Sequence, residues 1–169
     1  MSDKKQIVIK DACILIDLVD LNLLGDFFQL GFIALTTPQV VGEITNETQW
    51  QEISKFVANG YLHIDDNGEF DAIQELFDQY PGLSLPDSSV LELALRSNAI
   101  IYSSDGSLRK ISVKHGLTVR GILWIVEELK INGFLNKEQA IQKLYLYEKI
   151  NERAPIKDIK NLINRLTKS

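Results

Sequence analysis

The 169-residue chain has one cysteine, Cys13. That excludes an intramolecular disulfide and a Cys-rich zinc site. Two histidines, His63 and His115, leave little for a histidine-based metal centre. Four prolines and ten glycines are scattered along the chain, and no Pro/Gly-rich linker, internal repeat or low-complexity tract divides it. No apolar run approaches the roughly 20 residues of a membrane span, so no membrane partner is expected. The start, MSDKKQ, leads straight into an apolar run with no signal-peptide core between them, and a cytoplasmic location is expected. Bases are outnumbered, 18 Lys and Arg against 23 Asp and Glu, for a formal charge of -5. Bulk electrostatic binding of nucleic acid needs clustered Lys and Arg, so that class is disfavoured. An enzyme acting on nucleic acid is not excluded, because a cluster of acids that holds cations inverts its own local field.

What the chain does have is a 45% hydrophobic composition, enough for one sizeable core, in an alternating order of strand-like and helix-like segments. Strand patterns fall at 7–10, 33–35, 62–64, 99–102 and 117–119. Helical patterns fall between and after them, at 12–21, 23–30, 49–58, 70–80, 106–115, 121–132, 137–151 and 156–168. Thr37-Pro38 supplies a cap and a first-turn proline, predicting a helix through Glu43. Pro86 opens a further helix with Val90, Leu91, Leu93 and Ala94 among its apolar positions. Such alternation predicts an α/β fold, a parallel β-sheet of 4–5 strands flanked by helices on both faces, with additional C-terminal helices.

Four windows each set one carboxylate beside an apolar run: IVIKDACILIDL around Asp11, TTPQVVGEI around Glu43, LSLPDSSVLELA around Asp87 and AIIYSSDGSLRK around Asp105. Asp11 and Asp105 directly follow strand patterns. Glu43 and Asp87 ride or open helical ones. In an open parallel sheet, the strand carboxyl ends and the helices that leave them share one edge, where ligands bind. Four acids gathered there repel one another unless a cation sits among them. Hard ions such as Mg²⁺ take oxygen ligands and need only one or two direct carboxylates. The residues therefore point to a metal-dependent phosphodiesterase working by in-line attack of water. Asp11 and Asp105, at rigid strand ends, are the expected direct ligands. Each acid also suits a helix cap, and capping is compatible with metal binding.

Taken in order, these windows resemble the PIN-domain nucleases. The resemblance runs from about Ile7 to Leu135 and rests on DACILIDL, TPQVVGEI, DSSVLELA and IIYSSDGSLRK, followed by HGLTVRG. It implies a nuclease domain over 1–135 and a helical extension over 136–169 packed on the same domain. It implies that Asp11, Glu43, Asp87 and Asp105 are catalytic and hold Mg²⁺ or Mn²⁺, with RNA as the substrate. Ser104 and Arg109 are the expected substrate-binding residues. Many bacterial members are toxins of toxin–antitoxin pairs, so an antitoxin protein and a homodimer are expected partners. The sequence departs from the family at Cys13, where Ser, Thr or Asn is common, and in its two helices past Leu135, which compact toxins often lack.

Two other functions compete. A phosphatase that forms an aspartyl-phosphate would want a second Asp two positions after the first, and position 13 is Cys. A non-catalytic PIN-like binding or regulatory subunit would suit the negative charge. Of the remaining residues, Asp17, Asp20 and Glu92 are expected on solvated helix faces and Cys13 as a small buried filler. His63 and His115 are expected at the surface, and Trp50 and Trp124 in helix packing. Lys157, Lys160, Arg165 and Lys168 form a modest basic strip against the single acid Asp158.

Overall fold

The computed structural model describes residues 5–9, 12–103 and 107–169. In chain order the elements are β1 (Gln6–Ile9), α1 (Ala12–Asp20), α2 (Leu24–Phe28), β2 (Ile33–Thr36), α3 (Pro38–Val41), α4 (Glu47–Ala58), β3 (Leu62–Ile64) and α5 (Phe70–Gln79). They continue with α6 (Leu85–Ser97), β4 (Ile100–Tyr102), α7 (Ser107–Lys114), β5 (Val119–Arg120), α8 (Ile122–Ile131), α9 (Lys137–Ile150) and α10 (Ile156–Lys168). Among the described residues, five strands form one sheet in the order β3-β2-β1-β4-β5, with every pair parallel. The expected α/β architecture is borne out.

Side chains alternate across this sheet, and the two apolar clusters show it. Ile7 and Ile9 of β1 and Tyr102 of β4 face one cluster, with α1, α2 and α8. Val8 and Ile101 face the other, with α6 and Leu108 of α7. A strand covered on both faces has no position for a polar residue, which is why Ile7-Val8-Ile9 reads as an unbroken apolar run.

The C-terminal helices close the first cluster. Leu144 and Tyr147 of α9 and Ile159, Leu162, Ile163 and Leu166 of α10 are buried in it. Lys143 donates to the Leu21 carbonyl at 2.7 Å, tying α9 to the end of α1. Asn151 donates to Asp17 Oδ2 at 3.0 Å. Asp17 is thus buried, against the expectation of a solvated face, because its partner comes from the far end of the chain. Cys13 is exposed and not a core filler. Trp50 and Trp124 pack on the first cluster as expected, and both histidines are exposed. His115 lies 2.9 Å from the Tyr80 hydroxyl.

One boundary differs from the sequence reading for reasons of hydrogen bonding. Gly116 takes φ +76°, and Leu117 N–H turns back to the Ser112 carbonyl. Leu117 therefore belongs to the turn that closes α7, and β5 starts at Val119. Gly31, at φ +86°, stands between α2 and β2, and β2 starts at Ile33 as expected.

Candidate metal centre

The strand order reverses direction between β1 and β4, since β2 and β3 lie on one side and β5 on the other. These two central strands are in direct register, Ile9 opposite Tyr102. Their carboxyl ends therefore adjoin. In the chain, position 11 follows Ile9 by two residues and position 105 follows Tyr102 by three. Asp11, Ser104 and Asp105 lie outside the described residues.

Hydrogen bonds bring α3 and α6 to the same edge. Thr36 Oγ1, at the end of β2, donates to the Ile9 carbonyl at 3.2 Å. Thr37 caps α3 by accepting Val40 N–H. Its hydroxyl also lies 2.8 Å from Ser89 Oγ. Ser89 gives its own hydrogen to the Pro86 carbonyl, so Thr37 is the donor and Ser89 the acceptor in that pair. This bond holds the first turns of α6 against the carboxyl end of β2.

Asp87 stands at the third position of α6, where Ser84 and Asp87 form a capping box. Its Oδ2 accepts Ser84 N–H at 3.1 Å, and Ser84 Oγ accepts Asp87 N–H at 3.1 Å. The side chain is buried. The capping expectation is met, and it leaves room for a second role, since an ionised carboxylate can accept at about four positions. Glu43 does not ride a helix, as was expected. α3 stops at Val41, and Glu43 lies exposed in the turn that follows, with its N–H on the Val40 carbonyl.

Glu92 was expected at the surface and is buried. Arg96, one turn along α6, donates to Glu92 Oε1 at 2.9 Å and Oε2 at 3.2 Å. The same guanidinium donates to Asp65 Oδ1 at 2.8 Å and Oδ2 at 3.3 Å. Asp65 directly follows β3, and its N–H meets the Thr36 carbonyl. Arg96 thus pairs with two acids at the β3 side of the edge. The hydrogen bonds from Arg96 hold the Asp65 carboxyl below its ordinary value. Glu92 and Arg96 were readable as an i, i+4 pair on a helix. Asp65, 31 residues away, was not.

Among the described residues no three His, Cys, Asp or Glu side chains gather as a metal set. Two of the four expected acids are outside those residues. Arg109 sits exposed on α7.

The fold is that of a doubly wound α/β protein whose strand order reverses between β1 and β4, and open sheets of this kind bind ligands at such a switch point. The family model described as PIN domain matches residues 7–168, and the chain belongs to the PIN-domain family. That match continues past Leu135 through α9 and α10. PIN domains are generally nucleases, and the family acts on nucleic acid and usually uses divalent metals. No curated protein matches the chain. No helix among the described residues is long and apolar enough to cross a membrane.

Proposed function

We propose that the protein is a metal-dependent ribonuclease whose catalytic residues are Asp11, Glu43, Asp87 and Asp105. The observation that carries the reading is the pairing of β1 with β4, whose carboxyl ends, Ile9 and Tyr102, lie side by side at one sheet edge. The tie between Ser89 and Thr37 supports it by bringing the Asp87 turn to that edge. An all-carboxylate donor set suits Mg²⁺ or Mn²⁺ and not a soft metal. When bound, such an ion supplies positive charge against the phosphoryl oxygens and the means to activate water.

The chain's own residues do the rest. The capping box and the Thr37–Ser89 bond fix Asp87, so little is reorganised when ligand arrives. Glu43, on an exposed turn, can approach a ligand from the solvent side. Arg96 keeps Glu92 and Asp65 occupied, so those acids do not compete for the cation. Ser104 and Arg109 meet the substrate phosphate. The same reading takes the protein as a cytoplasmic toxin with a small antitoxin protein as its partner. A homodimer would draw on the exposed apolar residues Tyr145, Leu146, Ile150 and Ile156.

Cleavage of a mixed RNA pool with Mg²⁺, Mn²⁺ or EDTA tests the assignment. Wild type should cleave with metal and be silent in EDTA. Loss of outer partners of a metal ligand already costs about 10–100-fold, so Asp11→Asn and Asp105→Asn should each lose about a hundredfold or more. Asn caps a helix about as well as Asp, so a purely structural role predicts unchanged activity. Full activity in both variants would overturn the assignment.

A further inference from the structure

A cavity of about 600 Å³ opens beside the proposed centre, beginning at Ser103 and running between the start of α8 and the face of α10. Its two ends differ in chemistry. At the Ser103 end stand Arg109 and Arg120, together with the first turn of α8. Gly121 is the N-cap of that ten-residue helix and offers no side chain to its N–H groups, so the first turn presents backbone donors and the positive end of the helix dipole. The Arg120 guanidinium carbon lies over the Trp124 ring, 4.9 Å from its centre, a contact that limits its motion. Among the described residues Arg120 Nε is buried without a hydrogen-bond partner. A buried donor left unmatched is costly unless something supplies an acceptor.

Toward α9 and α10 the lining becomes apolar, with Tyr147, Pro155 and Leu162, and carries Asn161 and Asp158 at its edge. Arg165 also lines the cavity, but it is committed to Glu127 at 2.8 Å. The open positive charge therefore sits at the Ser103 end. Cations and backbone N–H groups at one end, an apolar wall with amide and carboxylate groups at the other, and a volume within the usual range for small-molecule sites make a seat for one nucleotide.

We propose that this cleft is a nucleotide subsite. The phosphate rests on Arg109, Arg120 and the α8 N-terminus. The base lies along the apolar wall, with Asn161 and Asp158 reading its edge. The proposal rests on the nucleic-acid reading above and extends it. The strand would leave the carboxylate edge past Ser103 and place one flanking nucleotide against the C-terminal helices.

Binding can be separated from cleavage by measuring fluorescence anisotropy of a labelled single-stranded RNA decamer in EDTA. Loss of a charge-assisted hydrogen bond should weaken binding about tenfold or more in Arg120→Gln. Arg109→Gln, on an exposed helix face, gives the same test if the first variant folds poorly. Asn161→Trp, which fills the cleft, should weaken binding comparably. Lys160→Gln, facing away on α10, should bind like wild type. Adenosine 5′-monophosphate should displace the decamer better than ribose 5-phosphate, since only the former carries a base. Wild-type binding that is absent in EDTA, or unchanged in Arg109→Gln and Asn161→Trp, would overturn the subsite. Equal competition by the two phosphates would overturn the base seat. Arg120-dependent binding by a protein that never cleaves RNA would retain the subsite and sink the ribonuclease assignment instead.

Discussion

Arg96 meets two carboxylates with one guanidinium, and the pair it makes with Glu92 is the more buried of the two. Removing it leaves Glu92 charged in a site with little access to water. Breaking a fully buried pair costs about 3–5 kcal/mol and an exposed pair under about 1 kcal/mol. Arg96 is partly exposed, so Arg96→Ala should lose roughly 1–3 kcal/mol in urea unfolding. The pH dependence follows from Asp65, whose carboxyl is held below its ordinary value by the Arg96 hydrogen bonds. A depressed carboxyl stabilises the fold above its unfolded value and loses that contribution as pH falls through its folded one. The gap between wild type and Arg96→Ala should therefore be widest near neutrality and narrow as pH falls into and below the ordinary carboxylate range. A gap that does not change with pH would show that the pair contributes through packing alone. At this scale the Glu92–Arg96 spacing was open to a sequence reading, but Glu92 was expected at the surface and its burial was missed. The sequence was silent for Asp17, whose burial depends on Asn151, 134 positions away. Cys13 misled because small thiols are usually buried.

The edge where ligands are expected is held together by contacts between elements. Ser89 is the acceptor that satisfies the buried Thr37 hydroxyl, and it links α6 to the end of β2. Ser89→Ala leaves that donor without a partner. The cost should be about 1–3 kcal/mol in equilibrium unfolding, accompanied by slower RNA cleavage as the Asp87 turn loosens. Unchanged stability and rate would show that the apolar contacts of α6 position the turn unaided. Strand positions were legible because apolar runs in a sheet covered on both faces stand out. β3 (Leu62–Ile64) was legible to the residue. Helix ends were less so. The Thr37-Pro38 start of α3 was clear from its cap chemistry, but its end at Val41 was missed, although Gly42, its C-cap, is a residue that ends helices. Which acids meet at the edge depends on strand order, and alternation alone leaves that order open.

At the scale of the molecule, α10 is part of the core. Ile159, Leu162, Ile163 and Leu166 are buried, and each such side chain contributes about 1.5–3 kcal/mol. Their total, about 6–12 kcal/mol, rivals the whole stability of a typical domain, about 5–15 kcal/mol. Deleting residues 155–169 should therefore yield a chain with no cooperative melt. A truncated protein that melts like wild type would show the helix to be dispensable. The helical spacing of those four residues was plain in the sequence, but whether the stripe met this chain or a second copy was not, because periodicity names a face and not its partner. The answer has a consequence for how the protein folds. Ile7 of β1 and Leu166 of α10 belong to one apolar cluster. Contacts so far apart in sequence cost loop-closure entropy before they reward it, and they slow folding. The first cluster is therefore completed only when α10 docks, and the sheet it covers is held firmly from that step onward.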